Sequence, residues 1–164
     1  MNNMILIGMM GCGKSTIGQA LAKKLNYGFA DMDTMIEEKA HMSIPDMFQI
    51  SESFFREQER ACLEEIQSLD HYVIATGGGV ITRDDNCELL SQCGKIIFLE
   101  RDIDLIWDSC DKESRPLMQK GKASFVSLYE QRKERYENLC DYHMVNDGHV
   151  DDLVNDIIRV IKGK

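Results

Sequence analysis

The clearest chemical signal in the sequence is a glycine-rich segment near its start. Residues 8–15 read GMMGCGKS and fit the pattern GxxxxGK[ST]. Glycines let successive backbone N–H groups turn toward an anion, and a helix that follows adds the positive end of its dipole. The pattern predicts a P-loop over residues 8–16 that binds a nucleoside triphosphate, with ATP as the expected nucleotide. A glycine-rich turn that binds nothing is the alternative.

Each residue type in this P-loop suits one part of the nucleotide. We expect Lys14 to reach the β- and γ-phosphates and the Ser15 hydroxyl to bind Mg²⁺. The predicted nucleotide-binding residues of the loop are Gly11, Cys12, Gly13, Lys14, Ser15 and Thr16.

Two further polar segments follow predicted strands. Asp31 and Asp33 come after the short apolar run at 28–30, and residues i and i+2 of an extended segment point to the same side. We expect one carboxylate to hold Mg²⁺ and the other to accept a hydrogen bond from the hydroxyl that receives the phosphoryl group. Three glycines at 77–79 end the strand at 72–76 and allow a ligand to approach the backbone. A solvated acidic turn and a tight glycine turn are the alternatives.

Three arginines stand in segments that can face an anion. They are Arg56 within FFREQE, Arg132 within YEQRKERY, and Arg115 just before Pro116. The guanidinium group binds a carboxylate or a phosphate through two parallel hydrogen bonds. An ordinary surface charge is the alternative for each arginine, and position in the chain does not decide between the two.

Alternating strands and helices must position these residues. The apolar pattern predicts strands at 4–8, 28–30, 72–76, 95–99 and 142–145. It predicts helices from residue 15, at 35–40, 45–50, 55–69, 84–91, 102–109, 125–138 and 150–161. This alternation indicates an α/β fold with a mainly parallel sheet, and ligands bind such sheets at the carboxyl ends of the strands.

Composition narrows the class of protein. A chain of 164 residues with 43% hydrophobic residues predicts one folded domain, residues 1–164. The net charge of -9 argues against nucleic-acid binding, which needs a basic face. The chain has no apolar run of transmembrane length and no basic leader, so we expect no membrane association and a cytoplasmic location. The six scattered cysteines contain no CxxC pair and are expected to be reduced thiols.

Taken together, the blocks of the sequence resemble the shikimate kinase family nearly end to end. They are GMMGCGKSTIGQALAKKL, FADMDTMIE, SIPDMF, FFREQE, VIATGGGV, SRPLM and RKERY, and they keep the family's order and approximate spacing. The resemblance implies a P-loop kinase fold with a central five-stranded parallel sheet between helices. It implies phosphorylation of the 3-hydroxyl of shikimate by MgATP, on the route to chorismate and aromatic amino acids. The family is mostly monomeric, so a monomer is expected.

The resemblance also assigns roles to individual residues. Asp31 matches the magnesium-associated aspartate, and Asp33 matches the aspartate that binds the shikimate hydroxyls and serves as base or orienting group. Arg115 matches the arginine of a mobile lid, at about 111–124, that faces the phosphates. The catalytic set is therefore Asp33, Lys14 and Arg115, and the metal ligands are Ser15 and Asp31. The remaining matches are to shikimate-binding residues, with Arg56 and Arg132 for the carboxylate and Gly78 and Gly79 for the glycine turn. The shikimate-binding segment is expected at about 31–60.

The sequence departs from the family at two places. Ser51 stands where the family usually has glycine, and the change is expected to be tolerated if Ser51 adopts the local turn. Asp108 stands where the family often has an arginine that stacks on adenine. Trp107, or a backbone contact near Asn146, is the hypothesis for a replacement, and simple core packing of Trp107 is the alternative.

Cys12 suggests a chemical test of the P-loop. Its thiol is expected to be accessible when nucleotide is absent, so that alkylation slows the enzyme and ATP protects it. An inert small residue is the alternative.

Three other functions remain open from the sequence. A kinase for another polyol acid such as gluconate shares the P-loop, but the set Asp33, Arg56, Gly78 and Arg132 suits a ring acid with adjacent hydroxyls. A non-catalytic sensor is expected to lose Lys14, Asp33 or Arg115, and all three are present. A GTP-hydrolysing switch usually carries NKxD, which is missing here.

Overall fold

The structure, a computed structural model, describes residues 2–163. Met1 and Lys164, the two ends of the predicted domain, lie outside the described residues. The strands are β1 (Asn3–Ile7), β2 (Gly28–Asp31), β3 (Tyr72–Ala75), β4 (Gly94–Glu100) and β5 (Tyr142–Val145). They form a five-stranded sheet in the order β2-β3-β1-β4-β5, and every neighbouring pair is parallel. The predicted α/β fold with a central parallel sheet is confirmed.

Helices connect successive strands. They are α1 (Lys14–Leu25), α2 (Met32–Ala40), α3 (Ile44–Ile50), α4 (Glu52–Ile66), α5 (Asp84–Cys93), α6 (Ile103–Ser109), α7 (Lys122–Leu139) and α8 (Val150–Ile161). A short 3-10 helix at Val80–Thr82 follows the three glycines, and another at Pro116–Met118 lies in the predicted lid segment. Among residues 2–163, no helix combines the length and the apolar character needed to cross a bilayer.

The central strand β1 divides the core into two layers. Successive side chains of a strand point to opposite faces, so Ile5 and Ile7 pack on one face and Met4 and Leu6 on the other. The first face is covered by α2, α3, α4 and α5, together with Tyr136 of α7. The second is covered by α1, α6, α8 and the first half of α7. Because β1 is buried along its whole length, the loop that follows it is held on a rigid base.

Several local predictions are wrong. The helix expected at 55–69 spans Glu52–Ile66. Asp31 and Asp33 do not share an extended segment, because α2 begins at Met32 and places Asp33 in its first turn. The helix expected at 125–138 begins earlier, at Lys122, so the last three residues of the predicted lid are helical. Gly121 caps this helix with a φ of +96°, a conformation that glycine adopts without strain, and this cap sets the earlier start.

Candidate active site

The P-loop joins β1 to α1 and wraps around its own lysine. Lys14 lies in the first turn of α1 and is buried. Its Nζ donates to the carbonyl oxygen of Gly8 at 2.7 Å and to that of Met9 at 3.0 Å. These bonds hold the ammonium group inside the loop, at the edge of the cavity that the loop encloses.

The expectation of an accessible thiol at Cys12 is wrong. Its side chain is 1% exposed and packs in the core on the α1 side of the sheet. The backbone of the loop causes this, because the Cys12 N–H donates to the Met9 carbonyl at 3.1 Å and its carbonyl accepts from Asn146 Nδ2 at 2.8 Å. The thiol therefore points inward, and alkylation in the folded protein is not expected with or without nucleotide.

Asn146 braces the same loop from the end of β5. Its side-chain amide occupies the space that a Cβ at Gly13 would need. Gly13 also has a φ of +102°, in the left-handed region that favours glycine. The loop conformation therefore depends on both the glycine and the amide that packs against it.

Asp31 connects the end of β2 to both the P-loop and helix α2. Asp31 ends β2, and its Oδ1 caps α2 by accepting from the backbone N–H groups of Asp33 at 3.0 Å and Thr34 at 3.4 Å. Its Oδ2 accepts a hydrogen bond from the Ser15 hydroxyl at 2.5 Å. A hydroxyl and a carboxylate oxygen so close together suit Mg²⁺, which prefers oxygen ligands.

Two cavities open at the carboxyl ends of the strands. The P-loop cavity, about 400 Å³, is lined by loop residues and by both aspartates. The helix cavity, about 440 Å³, lies between α2, α3, α4 and the glycine turn. Four residues line both: Met10, Asp33, Gly78 and Arg115. The two cavities are therefore neighbours that meet at Asp33 and Arg115.

The electrostatic setting of Asp33 is unusual for an aspartate. Burial raises the pKa of its carboxyl group, and the negative charge of Asp31 raises it further. The positive charges of Lys14 and Arg115 oppose this rise. A carboxylate with a raised pKa is a stronger proton acceptor once it is ionised.

An ion pair in α4 forms one wall of the helix cavity. Arg56 Nη1 lies 2.9 Å from Glu59 Oε1, and both side chains are buried. The guanidinium group packs on Gly79, where a Cβ would collide with it. Burial raises the pKa of Glu59, and Arg56 opposes that rise by its charge and its hydrogen bond. The second Glu59 oxygen, Oε2, is buried and has no hydrogen-bond partner within residues 2–163.

Arg132 of α7 is buried beside this ion pair and does not line either cavity. Its Nε and Nη1 have no hydrogen-bond partner in the part of the chain that the structure describes. Burial lowers the pKa of its guanidinium group, the charge of Arg56 lowers it further, and Tyr136 and Glu59 oppose the change. Buried donors without partners are rare in folded proteins, so these two nitrogens are donors that a bound anion could use.

The predicted lid carries Arg115 to the junction of the cavities. The segment is anchored by Met118, which is buried in the core. Trp107 does not reach the P-loop cavity. The ring centres of Trp107 and Phe125 lie 5.7 Å apart, and the Lys112 ammonium lies 4.9 Å from the centre of the Trp107 ring. Trp107 therefore packs against the core, and Asp108 is exposed. What replaces the family's adenine contact stays a prediction.

Among the cavity residues that the sequence motifs did not reveal are Arg101, Thr76 and Glu59. Arg101 and Thr76 line the P-loop cavity directly after β4 and β3, so the strand-end rule applied to every strand would have named them. Glu59 lines the helix cavity and lies three residues after Arg56, a spacing that places two side chains on one face of a helix.

Comparison with known proteins agrees with the geometry. The family model for shikimate kinase matches residues 10–162. A shikimate kinase of Clostridium botulinum (strain Alaska E43 / Type E3) is 41% identical over 160 residues, which are 98% of this chain and 97% of the relative. The shikimate kinase of strain Eklund 17B / Type B is 42% identical over the same shares of both chains.

Solved structures agree as well. Shikimate kinase from Acinetobacter baumannii in complex with shikimate is 34% identical and superposes with a TM-score of 0.95, covering 99% of this chain and 94% of that chain. The crystal structure of shikimate kinase from Aquifex aeolicus is 28% identical with a TM-score of 0.87, covering 98% and 96%. By sequence and by structure, the chain belongs to the shikimate kinase family.

Proposed function

We propose that this protein transfers the γ-phosphoryl group of ATP to the 3-hydroxyl of shikimate, giving shikimate 3-phosphate and ADP. The observation that carries the proposal is the junction of the two cavities. Asp33, Gly78 and Arg115 line both, so a nucleotide in one cavity and an acceptor in the other meet at these residues. Phosphoryl transfer depends mainly on alignment and on neutralising charge, which this arrangement supplies.

The helix cavity is the proposed shikimate site. Shikimate has one carboxylate and three hydroxyls. The carboxylate would be bound by Arg56, which lines this cavity. Arg132 is buried beside the Arg56–Glu59 pair and would have to turn toward the cavity to offer its Nε and Nη1, which are without partners among the described residues. The hydroxyls would be bound by Asp33, Gly78 and Gly79. A volume of about 440 Å³ suits a small molecule of this kind.

The P-loop cavity is the proposed ATP site. Backbone N–H groups of residues 11–16 and the N-terminus of α1 would bind the phosphates. Mg²⁺ would be held by Ser15 and Asp31, whose oxygens lie 2.5 Å apart. The ion would offset phosphate charge when bound. Cys12 would contribute through its backbone alone, because its side chain is buried.

The proposed chemistry assigns a proton and a charge to named groups. Asp33 orients the 3-hydroxyl and accepts its proton as the new O–P bond forms and the bond to the β-phosphate oxygen breaks. Lys14 and Arg115 stabilise the negative charge on the phosphoryl oxygens. Residues 111–124, which bring Arg115 to the junction, would act as a lid that excludes water from the transfer.

The proposal also includes the oligomeric state and the cellular location. This chain supplies Lys14, Asp33, Arg56 and Arg115 to the two cavities, and we propose that it acts as a monomer. We place the activity in the cytoplasm, where ATP is available as co-substrate.

The product identifies the reaction. The protein is incubated with MgATP and shikimate, and the phosphorylated ring position is read from ³¹P–¹H coupling in the NMR spectrum. Phosphate coupled to the proton at carbon 3 is expected. Phosphate at another hydroxyl, or phosphorylation of gluconate under the same conditions, would contradict the proposal.

A further inference from the structure

The P-loop cavity contains a cation that no recognised motif of this chain includes. Arg101 directly follows β4 and lines the cavity together with Lys14 and Arg115. Its side chain is half-buried. A guanidinium group therefore lies at the predicted phosphate site.

Two hydrogen bonds hold the Arg101 side chain against the loop. Its Nη1 donates to the carbonyl oxygen of Gly11 at 3.1 Å and to the hydroxyl of Ser109 at 3.4 Å. The Ser109 hydroxyl in turn donates to the carbonyl of Leu105 at 2.7 Å, so its oxygen serves as the acceptor for the arginine. The guanidinium group is thus tied between the P-loop and the end of α6 through one of its nitrogens.

No carboxylate neutralises this arginine. Within residues 2–163, no carboxylate oxygen lies within 4.0 Å of its guanidinium group. Apart from Arg132, every arginine that lies outside the two cavities forms a salt bridge with a carboxylate. These paired arginines are Arg60, Arg83, Arg135 and Arg159. The acidic residues on either side of it in the chain are committed elsewhere. Glu100 binds Lys133 at 3.1 Å and His143 at 2.9 Å, and Asp102 caps α6.

We infer that Arg101 binds the phosphate chain of the nucleotide in the P-loop cavity. The inference rests on the proposed ATP site and adds a residue to it. The bond to Gly11 orients the guanidinium at the loop, and the nitrogens not used in that bond match the geometry of phosphate oxygens. In a chain with a net charge of -9, an arginine without a carboxylate partner beside Lys14 concentrates positive charge where the anion binds.

The test compares Arg101→Ala with Arg159→Ala. Arg159 lies in α8, is exposed and pairs with Asp156, so its removal changes the net charge equally without touching the cavity. Binding of ATP and of inorganic tripolyphosphate is measured by calorimetry, and the KM for each substrate is measured by turnover. We expect Arg101→Ala to weaken ATP and tripolyphosphate alike by about ten-fold, with the KM for shikimate unchanged. Arg159→Ala should match the wild type.

The outcomes separate this inference from the proposed function. ATP and tripolyphosphate affinities for Arg101→Ala equal to those for Arg159→Ala would overturn the inference and leave the proposed function standing. Weaker ATP binding with unchanged tripolyphosphate binding would assign Arg101 to the base or ribose and would also overturn it. A wild-type protein that binds neither ligand would overturn both. If Arg101→Ala does not fold, Arg101→Lys makes the same comparison, with a loss of a few-fold in both affinities expected because the charge stays and the two-pronged geometry is lost.

Discussion

Asp33 is the residue on which the proposed reaction depends most. It lies in the first turn of α2 and lines both cavities. Burial and the neighbouring Asp31 raise the pKa of its carboxyl group, while Lys14 and Arg115 oppose the rise. The same desolvation that makes the ionised carboxylate a better base also makes it costly to keep in the folded protein.

Asp33→Asn should therefore separate activity from stability. We expect kcat to fall by roughly 10²- to 10⁴-fold, the usual contribution of a positioned acid–base group. Because the pKa is raised on folding, ionised Asp33 costs stability above its folded pKa and costs nothing once pH falls below its unfolded value. The variant should thus unfold at a higher temperature than the wild type at neutral pH, and the difference should vanish as the solution is acidified.

Asp46→Asn is the matched control, since Asp46 is an exposed residue in the first turn of α3. Steady-state rates and thermal unfolding are measured from neutral to acidic pH for both variants. In the wild type, kcat should decline as pH falls through the raised pKa, because the base becomes protonated. Full activity in Asp33→Asn, or a stability difference that grows on acidification, would contradict this role.

Arg132 is a second buried charged residue whose proposed role in binding comes at a cost to the stability of the fold. Its Nε and Nη1 are buried without hydrogen-bond partners in the described chain. Arg132→Met should raise the KM for shikimate by about ten-fold or more, because a charge-assisted hydrogen bond to the carboxylate is lost. The melting temperature should not fall, since an apolar side chain of similar length replaces a buried charge.

Substrate kinetics and thermal unfolding test this substitution together. The KM for ATP should stay within about two-fold of the wild type, because a lost carboxylate contact does not alter the phosphate site. An unchanged KM for shikimate would show that Arg132 does not bind the acceptor. A large drop in melting temperature would show that its guanidinium stabilises the fold.

At the scale of elements, α7 links the sheet to the glycine turn. Tyr136 is buried in this helix, stacks on Phe98 of β4 with ring centres 5.1 Å apart, and donates its hydroxyl to the Gly78 carbonyl. It also lies beside Arg132, one helical turn earlier. A single tyrosine therefore fixes the positions of two proposed shikimate-binding groups.

Tyr136→Phe should loosen that arrangement while keeping the ring. The Gly78 carbonyl loses its donor, which costs about 1–3 kcal/mol of stability for a buried group, and the KM for shikimate should rise several-fold. Tyr129→Phe is the control, because Tyr129 lies in the same helix but donates to Glu100 at 3.2 Å. Equal shikimate KM values for the two variants would refute a special role for Tyr136.

The elements themselves were largely predictable, and the reason is local. The predicted strand at 142–145 and the helix at 150–161 agree with β5 and α8, because their apolar spacing is set by which face is buried. The start of α2 was not predicted because it depends on Asp31. This residue ends β2, and its side chain caps the helix that begins at the next residue.

The candidate site was predictable to a lesser extent. Motif residues such as Lys14 and Asp33 reach the cavities because each lies in the first turn of a helix that follows a strand of the sheet. Other features depend on contacts between elements. Cys12 is bound by Asn146 at the end of β5, Arg132 is buried beside α4, and Arg101 is held at the P-loop cavity by Ser109 of α6. Those contacts join distant parts of the chain, so no local pattern encodes them.

At the scale of the whole molecule, the sheet determines where chemistry can occur. Its parallel strands end at one edge, and the residues that follow β1, β2, β3 and β4 converge there. The helix cavity adjoins this edge and shares Asp33, Gly78 and Arg115 with it. We predict that nucleotide and acceptor occupy separate cavities and react only where the two cavities meet.

A coupled assay of ADP release tests that prediction most directly. The wild-type protein is given MgATP alone, MgATP with shikimate, and MgATP with gluconate. We expect release that depends on shikimate, with gluconate no better than no acceptor, because the ring acid fits Arg56 and Asp33 of the helix cavity. ADP release that is equal without shikimate, or that responds to gluconate instead, would contradict the central claim.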